Sequence, residues 1–377
     1  MHTIRINKRN TGITALTAGL LALLMIAGST RVYALPRFAS LTGAKCQSCH
    51  IDPAGSGMRQ TIGNRFGQEE LPLPGWLEGF EPGDASNLIA NLLGIGADFR
   101  TLYYYVQRPD GTSTNSLYQM QGDLYVNATI SRKISIYLNK GLYSGFQAFG
   151  LLSVLPARGF IKVGKFVPNF GTHFDDHTVA VRRETGFTPE DVSNRYEKTG
   201  IELGIAPGPF FFSSGIYNAL NNDVGGSDKA FLARAEGMFS LDEGTNLGLG
   251  SSVFITKTPT GDSRKIYGGF GSFSFSKITL LGEGDFIRTE GGAARTTGLA
   301  GYIEADYTLT QGLDLKLAYD YFDPDIKVKT GSTSKYIFGV EFFPFPGVEV
   351  RPVYRFVKDK PVEVRNDELD VMVHFYL

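Results

Sequence analysis

Only two cysteines, one tryptophan and five histidines occur in the 377 residues. Two thiols cannot build a multi-bridge disulfide scaffold, and so few Cys and His leave little material for a closed zinc site. Neither sign of charge is in excess. Lys plus Arg number 37 and Asp plus Glu 38, for a formal net charge of −1, so nothing in the charge balance points to nucleic acid or to a basic membrane-binding surface. Beyond the first residues no apolar run is long enough for a transmembrane helix. What is abundant is glycine, with 46 residues, and the aromatic pair Phe and Tyr, with 28 and 18.

The one apolar run follows a positive stretch with Arg5, Lys8 and Arg9, covers Ile13 to Gly28, and precedes Val32-Tyr33-Ala34, an A-x-A-like cleavage site. It falls short of the ~20 residues that span a bilayer. Residues 1–34 are therefore expected to be a removed signal peptide, with the mature chain starting at Leu35 outside the cytoplasm.

Both cysteines fall in Cys46-Gln47-Ser48-Cys49-His50, the c-type haem attachment pattern C-x-x-C-H. Two thiols at this spacing can form thioethers with the two vinyl groups of one haem, and His50 then becomes the proximal iron ligand. The alternatives are half of a zinc site, a thioredoxin-like dithiol and a simple disulfide. A zinc site would need more Cys or His nearby, and none lies between Ile51 and Thr172. One covalent haem c is thus the expected cofactor. Met58, after Gly55 and Gly57, is a candidate distal ligand, though a short path from His50 suits a packing role equally well. His173, His177 and a five-coordinate iron are the other options. With roughly 60 mature residues before the first strand, this segment is too small for an independent core without a staple. It is expected to lean on the larger carboxy-terminal part of the chain, as a plug in its mouth or docked beneath it.

From about Gly96 onward the chain alternates with period two, the signature of strands. Leu124, Val126, Ala128 and Ile130 oppose Asp123, Tyr125, Asn127 and Thr129. The same phase sets Ile303, Ala305, Tyr307 and Leu309 against Tyr302, Glu304, Asp306 and Thr308, and Leu369, Val371, Val373 and Phe375 against Glu368, Asp370, Met372 and His374. Connections such as Arg108 to Ser116, Asn221 to Asp228 and Asp323 to Ser334 are long and polar, whereas those at Ser131 to Lys133, Asp242 to Thr245 and Ser276 to Lys277 are tight. Short periplasmic turns and longer extracellular loops characterise outer-membrane barrels. The expected fold is all-β: an antiparallel outer-membrane β-barrel of about 16 strands over residues 95–377, preceded by a small haem-binding cytochrome c-like segment at 35–94. The polar faces carry Asp123, Arg234, Glu236, Glu283, Asp285, Glu304, Asp306, Asp314, Lys316, Asp320, Glu341, Glu349, Arg351, Arg355, Glu368 and Asp370, which suits a wet lumen better than lipid. Tyr103, Tyr104, Tyr105, Phe210, Phe211, Tyr321, Phe322, Phe342 and Phe343 are expected in the interfacial girdles.

One connection, Asn169 to Lys198, is about 30 residues long, and a loop of that length is usually functional. It contains His173, Asp175, Asp176 and His177, then Arg182 and Arg183. Asp175, Asp176 and the arginines can pin the loop to the barrel wall. Alternatively the two histidines and two carboxylates form an N/O site suited to a ferrous ion, or one histidine approaches the haem.

Leu35-Pro36-Arg37-Phe38-Ala39, Thr42-Gly43, Cys46 to His50, Gly57-Met58-Arg59 and Phe66-Gly67, followed by strands, resemble the fused monohaem cytochrome-porins, whose best-known branch comprises outer-membrane iron oxidases. The resemblance covers roughly 35 residues and is architectural beyond them. It implies electron transfer between an extracellular redox partner, with Fe(II) as the first choice, and a periplasmic electron carrier, through a haem held in or at the pore. Cys46 and Cys49 carry over as thioether sites and His50 as proximal ligand. The alternative is a passive diffusion porin whose haem domain serves tethering, sensing or docking. The chain ends in Phe375-Tyr376-Leu377, a departure from the terminal Phe usual in outer-membrane strands.

Overall fold

Alternating apolar and polar residues give each segment from Leu93 onward two unlike faces, and sixteen such segments pair edge to edge until no edge remains. The computed structural model describes residues 36–76, 88–89, 92–108, 110–141, 145–187, 197–219, 227–258, 260–292, 294–361 and 366–377. The signal peptide expected at 1–34 lies outside them. The strands are β1 (Leu93–Gln107), β2 (Ser113–Ser131), β3 (Ile134–Gly141), β4 (Phe146–Leu155), β5 (Gly159–Phe166), β6 (Lys198–Ile205), β7 (Phe210–Asn218) and β8 (Lys229–Asp242). They continue with β9 (Thr245–Lys257), β10 (Ser263–Phe275), β11 (Ile278–Gly291), β12 (Ala294–Thr310), β13 (Leu313–Asp323), β14 (Thr333–Phe345), β15 (Val348–Asp359) and β16 (Glu368–Tyr376). The sheet has seventeen strands, one of them the two-residue Leu88–Ile89 beside β1, which leaves sixteen in the wall. Each pairs antiparallel with its sequence neighbours, and β16 returns to β1 with Phe375 opposite Phe99.

The two faces divide as the alternation predicts. Ile303 is 61% exposed and Leu317 55%, while Glu304 and Asp306 between and beside them are 4%. Apolar side chains outward and ions inward invert the pattern of a soluble β-protein. The girdle expectation needs correction. Phe211 and Phe343 are buried inside the wall and Tyr104 lines an inner cavity. Adjacent residues of a strand point to opposite faces, so each aromatic pair can give only one ring to the outside.

The amino-terminal residues lie inside this wall. Helix α1 (Pro36–Thr42) packs against β9, β10 and β11, and its Arg37 guanidinium sits among Asp306, Asp314 and Glu341 at 3.7, 3.3 and 2.5 Å. Helix α2 (Thr61–Glu69) follows; Gln311 of a tight turn donates to the carbonyls of Glu69 and Pro72. Lys45 donates to the carbonyls of Gly208 and Phe210 at another tight turn. The segment thus fills the mouth that carries the short connections.

Two deeper contacts hold it. Lys162 of β5, with no exposed surface, reaches Asp52 at 2.9 Å and Glu202 at 3.1 Å. Met58 N–H donates to the Tyr137 hydroxyl at 3.2 Å. At Gly57, φ is +63° and a Cβ would meet that hydroxyl at 2.4 Å, so glycine is required there. Tyr137→Phe leaves the buried Met58 N–H without its acceptor and is expected to destabilise the docked segment by about 1–3 kcal/mol. Protease protection of residues 36–76 in detergent, measured against denaturant, checks this.

Candidate functional site

Between the two cysteines the backbone makes a short 3₁₀ turn at Cys46–Ser48, closed by the Cys49 and His50 amides donating to the Cys46 carbonyl, both at 3.1 Å. Cross-chain pairing of His50 with Arg59 and the Gln60 amide on the Cys49 carbonyl at 2.7 Å turn this loop into a small hairpin. Both thiols are free. Burial, then the nearby Glu236 carboxylate, pushes the Cys46 thiol up to about 11, and burial with the neighbouring Cys46 pushes Cys49 up to about 12. Thiols raised in this way by burial are poor nucleophiles at neutral pH, unlike those of a reactive dithiol.

Cys46 and His50 line an interior cavity of about 1120 Å³, open solvent at its mouth included. Cys49 lies behind the turn, fully buried. The far wall is the long connection before β6, described from Val167 to Phe187, which turns into the lumen. Gly171 N–H donates to Ser252 at 3.0 Å, Thr172 N–H to Glu283 at 2.6 Å, and Ala180 N–H to Asp320 at 2.8 Å. A four-residue helix, α3 (Ala180–Arg183), lies within it. The long connection expected to be functional therefore folds into the lumen, and His173 and His177 both line the cavity with Cys46 and His50.

The two loop carboxylates have other partners. Asp175 pairs with Arg351 and faces Lys316 at 3.9 Å; Asp176 pairs with Arg355 at 2.8 Å and accepts from Thr178. Against the cost of burial, Arg351 holds the Asp175 carboxyl, and Arg355 that of Asp176, well below the usual carboxylate range. They pin the loop to the wall. Among the described residues one acidic trio brings ligand atoms within 4.8 Å of one another, Asp175, Glu341 and Glu349, and Lys316 and Arg351 already stand on it.

His173 differs. Its Nε2 is buried with no hydrogen-bond partner among the described residues. Burial, followed by Arg182, holds the imidazole well below its ordinary pKa, so it is neutral and able to ligate. A second cavity, about 820 Å³ and nearer the long connections, has Tyr104, Tyr118 and Met372 in its lining and shares Asp175 and His177 with the first. The loop is a partition one side chain thick.

Met58 sits elsewhere. It is 1% exposed within the aromatic cluster of Tyr125 and Tyr137 and does not line the cavity, in keeping with the packing role. Met58→Leu conserves volume, so it is expected to cost under about 1.5 kcal/mol and to leave any haem spectrum unchanged; visible spectra of the two proteins check it.

Arg59, Asp98, Arg100 and Arg182 also line the cavity; of these, Asp98 and Arg100 were not singled out from the sequence. Asp98 and Arg100 lie on the polar phase of β1 and could have been found by period two.

No family model matches the chain, and no curated protein matches it. Among solved structures, the anion-selective porin from Comamonas acidovorans aligns with a TM-score of 0.56 at 13% identity, covering 76% of this chain and 99% of that one. Outer-membrane expressed OmpT of Vibrio cholerae aligns with a TM-score of 0.56 at 11% identity over 78% of this chain and 100% of the other. The outer membrane channel DcaP of Acinetobacter baumannii aligns with a TM-score of 0.55 at 10% identity over 76% and 97%. At these identities the likeness is one of fold: the chain is a closed, antiparallel, sixteen-stranded barrel like those of the outer-membrane porins.

Proposed function

We propose that the chain resides in the outer membrane and moves electrons rather than solutes across it, using one haem c bound by Cys46, Cys49 and His50 inside a porin-type barrel. The observation that carries this reading is the cavity itself: a C-x-x-C-H hairpin on one side and, across from it, a neutral His173 whose Nε2 has no partner among the described residues. His50 as proximal and His173 as distal ligand suit that arrangement. Haem bound there supplies a one-electron Fe(III)/Fe(II) couple. The amino-terminal segment and the loop around Asp175 lie within the lumen and together line the cavity. A hydrocarbon core of about 30 Å has to be crossed, and on this reading a haem in the cavity between the two mouths would serve partners on both sides. Fe(II) outside and a periplasmic electron carrier are the proposed partners, which makes the activity that of an Fe(II) oxidase.

Fold likeness to porins favours a second reading, a diffusion channel whose amino-terminal segment tethers, senses or docks. One experiment separates the two. Protein purified from outer membranes is assayed by pyridine haemochrome, by stopped-flow mixing of the oxidised form with Fe(II), and by conductance in planar bilayers. The conduit reading expects a c-type spectrum, reduction by Fe(II) and little conductance. Porin-like conductance without redox turnover supports the channel, and absence of covalent porphyrin removes the conduit.

A further inference from the structure

Any haem attached to Cys46 and Cys49 has two edges of different chemistry: thioether carbons on one, two propionate carboxylates on the other. Cys46, the thioether sulfur that faces the cavity, has a definite place in the ring of strands. Cys46 has Glu236 and Arg234 of β8 as its charged neighbours, and Lys45 beside it is tied to Gly208 and Phe210 at the start of β7. In a closed order of sixteen, β16 stands half a turn from β8, and β1 is the strand next to it. Arg100 of β1 lines the cavity there, its Nε 3.2 Å from Asp98 and its Nη1 3.4 Å from the Asp175 carbonyl. Arg59 lines it too, its guanidinium 4.3 Å from the ring centre of Tyr376 on β16. Asp98, the carboxylate between them, is also met by His374 at 3.0 Å.

Resting on the haem reading above, we propose that Arg59 and Arg100 form the propionate-binding end of the cavity. Two carboxylates brought into a largely enclosed lumen are costly unless cations meet them, and the planar guanidinium suits a carboxylate in two-point contact. Arg59 comes from the strand paired with His50, so the residue holding the iron and one holding the porphyrin edge move as one piece. Arg100 comes from the wall and anchors that piece to the barrel.

The test is the midpoint potential of the haem-loaded full chain carrying Arg59→Gln, Arg100→Gln, Arg59→Lys or Arg100→Lys. Losing a positive charge beside the propionates favours the ferric form. Each Gln variant is expected to shift the Fe(III)/Fe(II) equilibrium roughly tenfold, a fall of about 59 mV for one electron, with the c-type spectrum intact. Each Lys variant is expected to recover most of that shift, which a merely structural role for the side chain would not produce. Gln variants at the wild-type potential, or Lys variants as low as the Gln ones, overturn the assignment while leaving the haem reading in place. A wild-type protein without covalent haem overturns both.

Discussion

Lys162→Met is expected to free the amino-terminal segment from the lumen, at a cost of roughly 3–5 kcal/mol. The ammonium has no exposed surface and is shared between Asp52 of the segment and Glu202 of β6. Glu202 also accepts from Tyr217 at 2.7 Å, and the Phe166 ring lies 4.1 Å from the ammonium. Taking away the cation leaves two carboxylates facing each other where water is scarce, which costs far more than the pair itself is worth. The cheapest relief is for Asp52 to leave, and the hairpin bearing Cys46 and His50 goes with it. In planar bilayers the variant should conduct more than the wild type, and trypsin should cut within residues 36–76. Adding Asp52→Asn and Glu202→Gln removes both stranded charges and should restore most of the closure. A closed, protease-resistant Lys162→Met protein would show that the segment is held by its other contacts.

In a protein loaded with haem as proposed above, His173→Ala is expected to convert the iron from six-coordinate low-spin to five-coordinate high-spin, nearly completely, with His177→Ala leaving it low-spin. The two histidines are four residues apart and line the same cavity, yet they stand differently. His173 has a buried Nε2 with no hydrogen-bond partner among the described residues, whereas His177 lies in the partition and borders both chambers. Neutral imidazole is the common ligand form. Electron paramagnetic resonance and visible spectra of the ferric proteins read the outcome, and added imidazole should return His173→Ala to low spin. Identical low-spin spectra for wild type and His173→Ala would dismiss His173 as ligand.

How much of the molecule is legible in the chain depends on the range of the forces involved. Strand phase is local: Ile303 and Glu304 declare opposite faces because neighbouring side chains must diverge, and turn residues mark where each strand stops. The strand number and the unusual length of the Asn169 to Lys198 connection come from that punctuation. The girdle assignment failed at Phe211 and Phe343 because composition near a strand end does not say which face a ring takes. The site itself depends on pairings that no window along the chain contains. Lys162 meets Asp52 across 110 positions, and Arg37 meets Asp306, Asp314 and Glu341 from far along the chain. Only the C-x-x-C-H pattern is compact enough to be seen directly, and His173 shows its place only once the loop has crossed the lumen.

The interior position of the cysteines also orders the steps of manufacture. Cys49 is fully buried, and Cys46 opens to a chamber bounded by the hairpin, the partition and the strands. An enzyme that forges thioethers needs both sulfurs in hand, and a closed cylinder admits no such visitor. Any covalent loading therefore has to occur on the newly exported polypeptide, while the segment bearing both sulfurs still stands outside the lumen and before Asp52 meets Lys162.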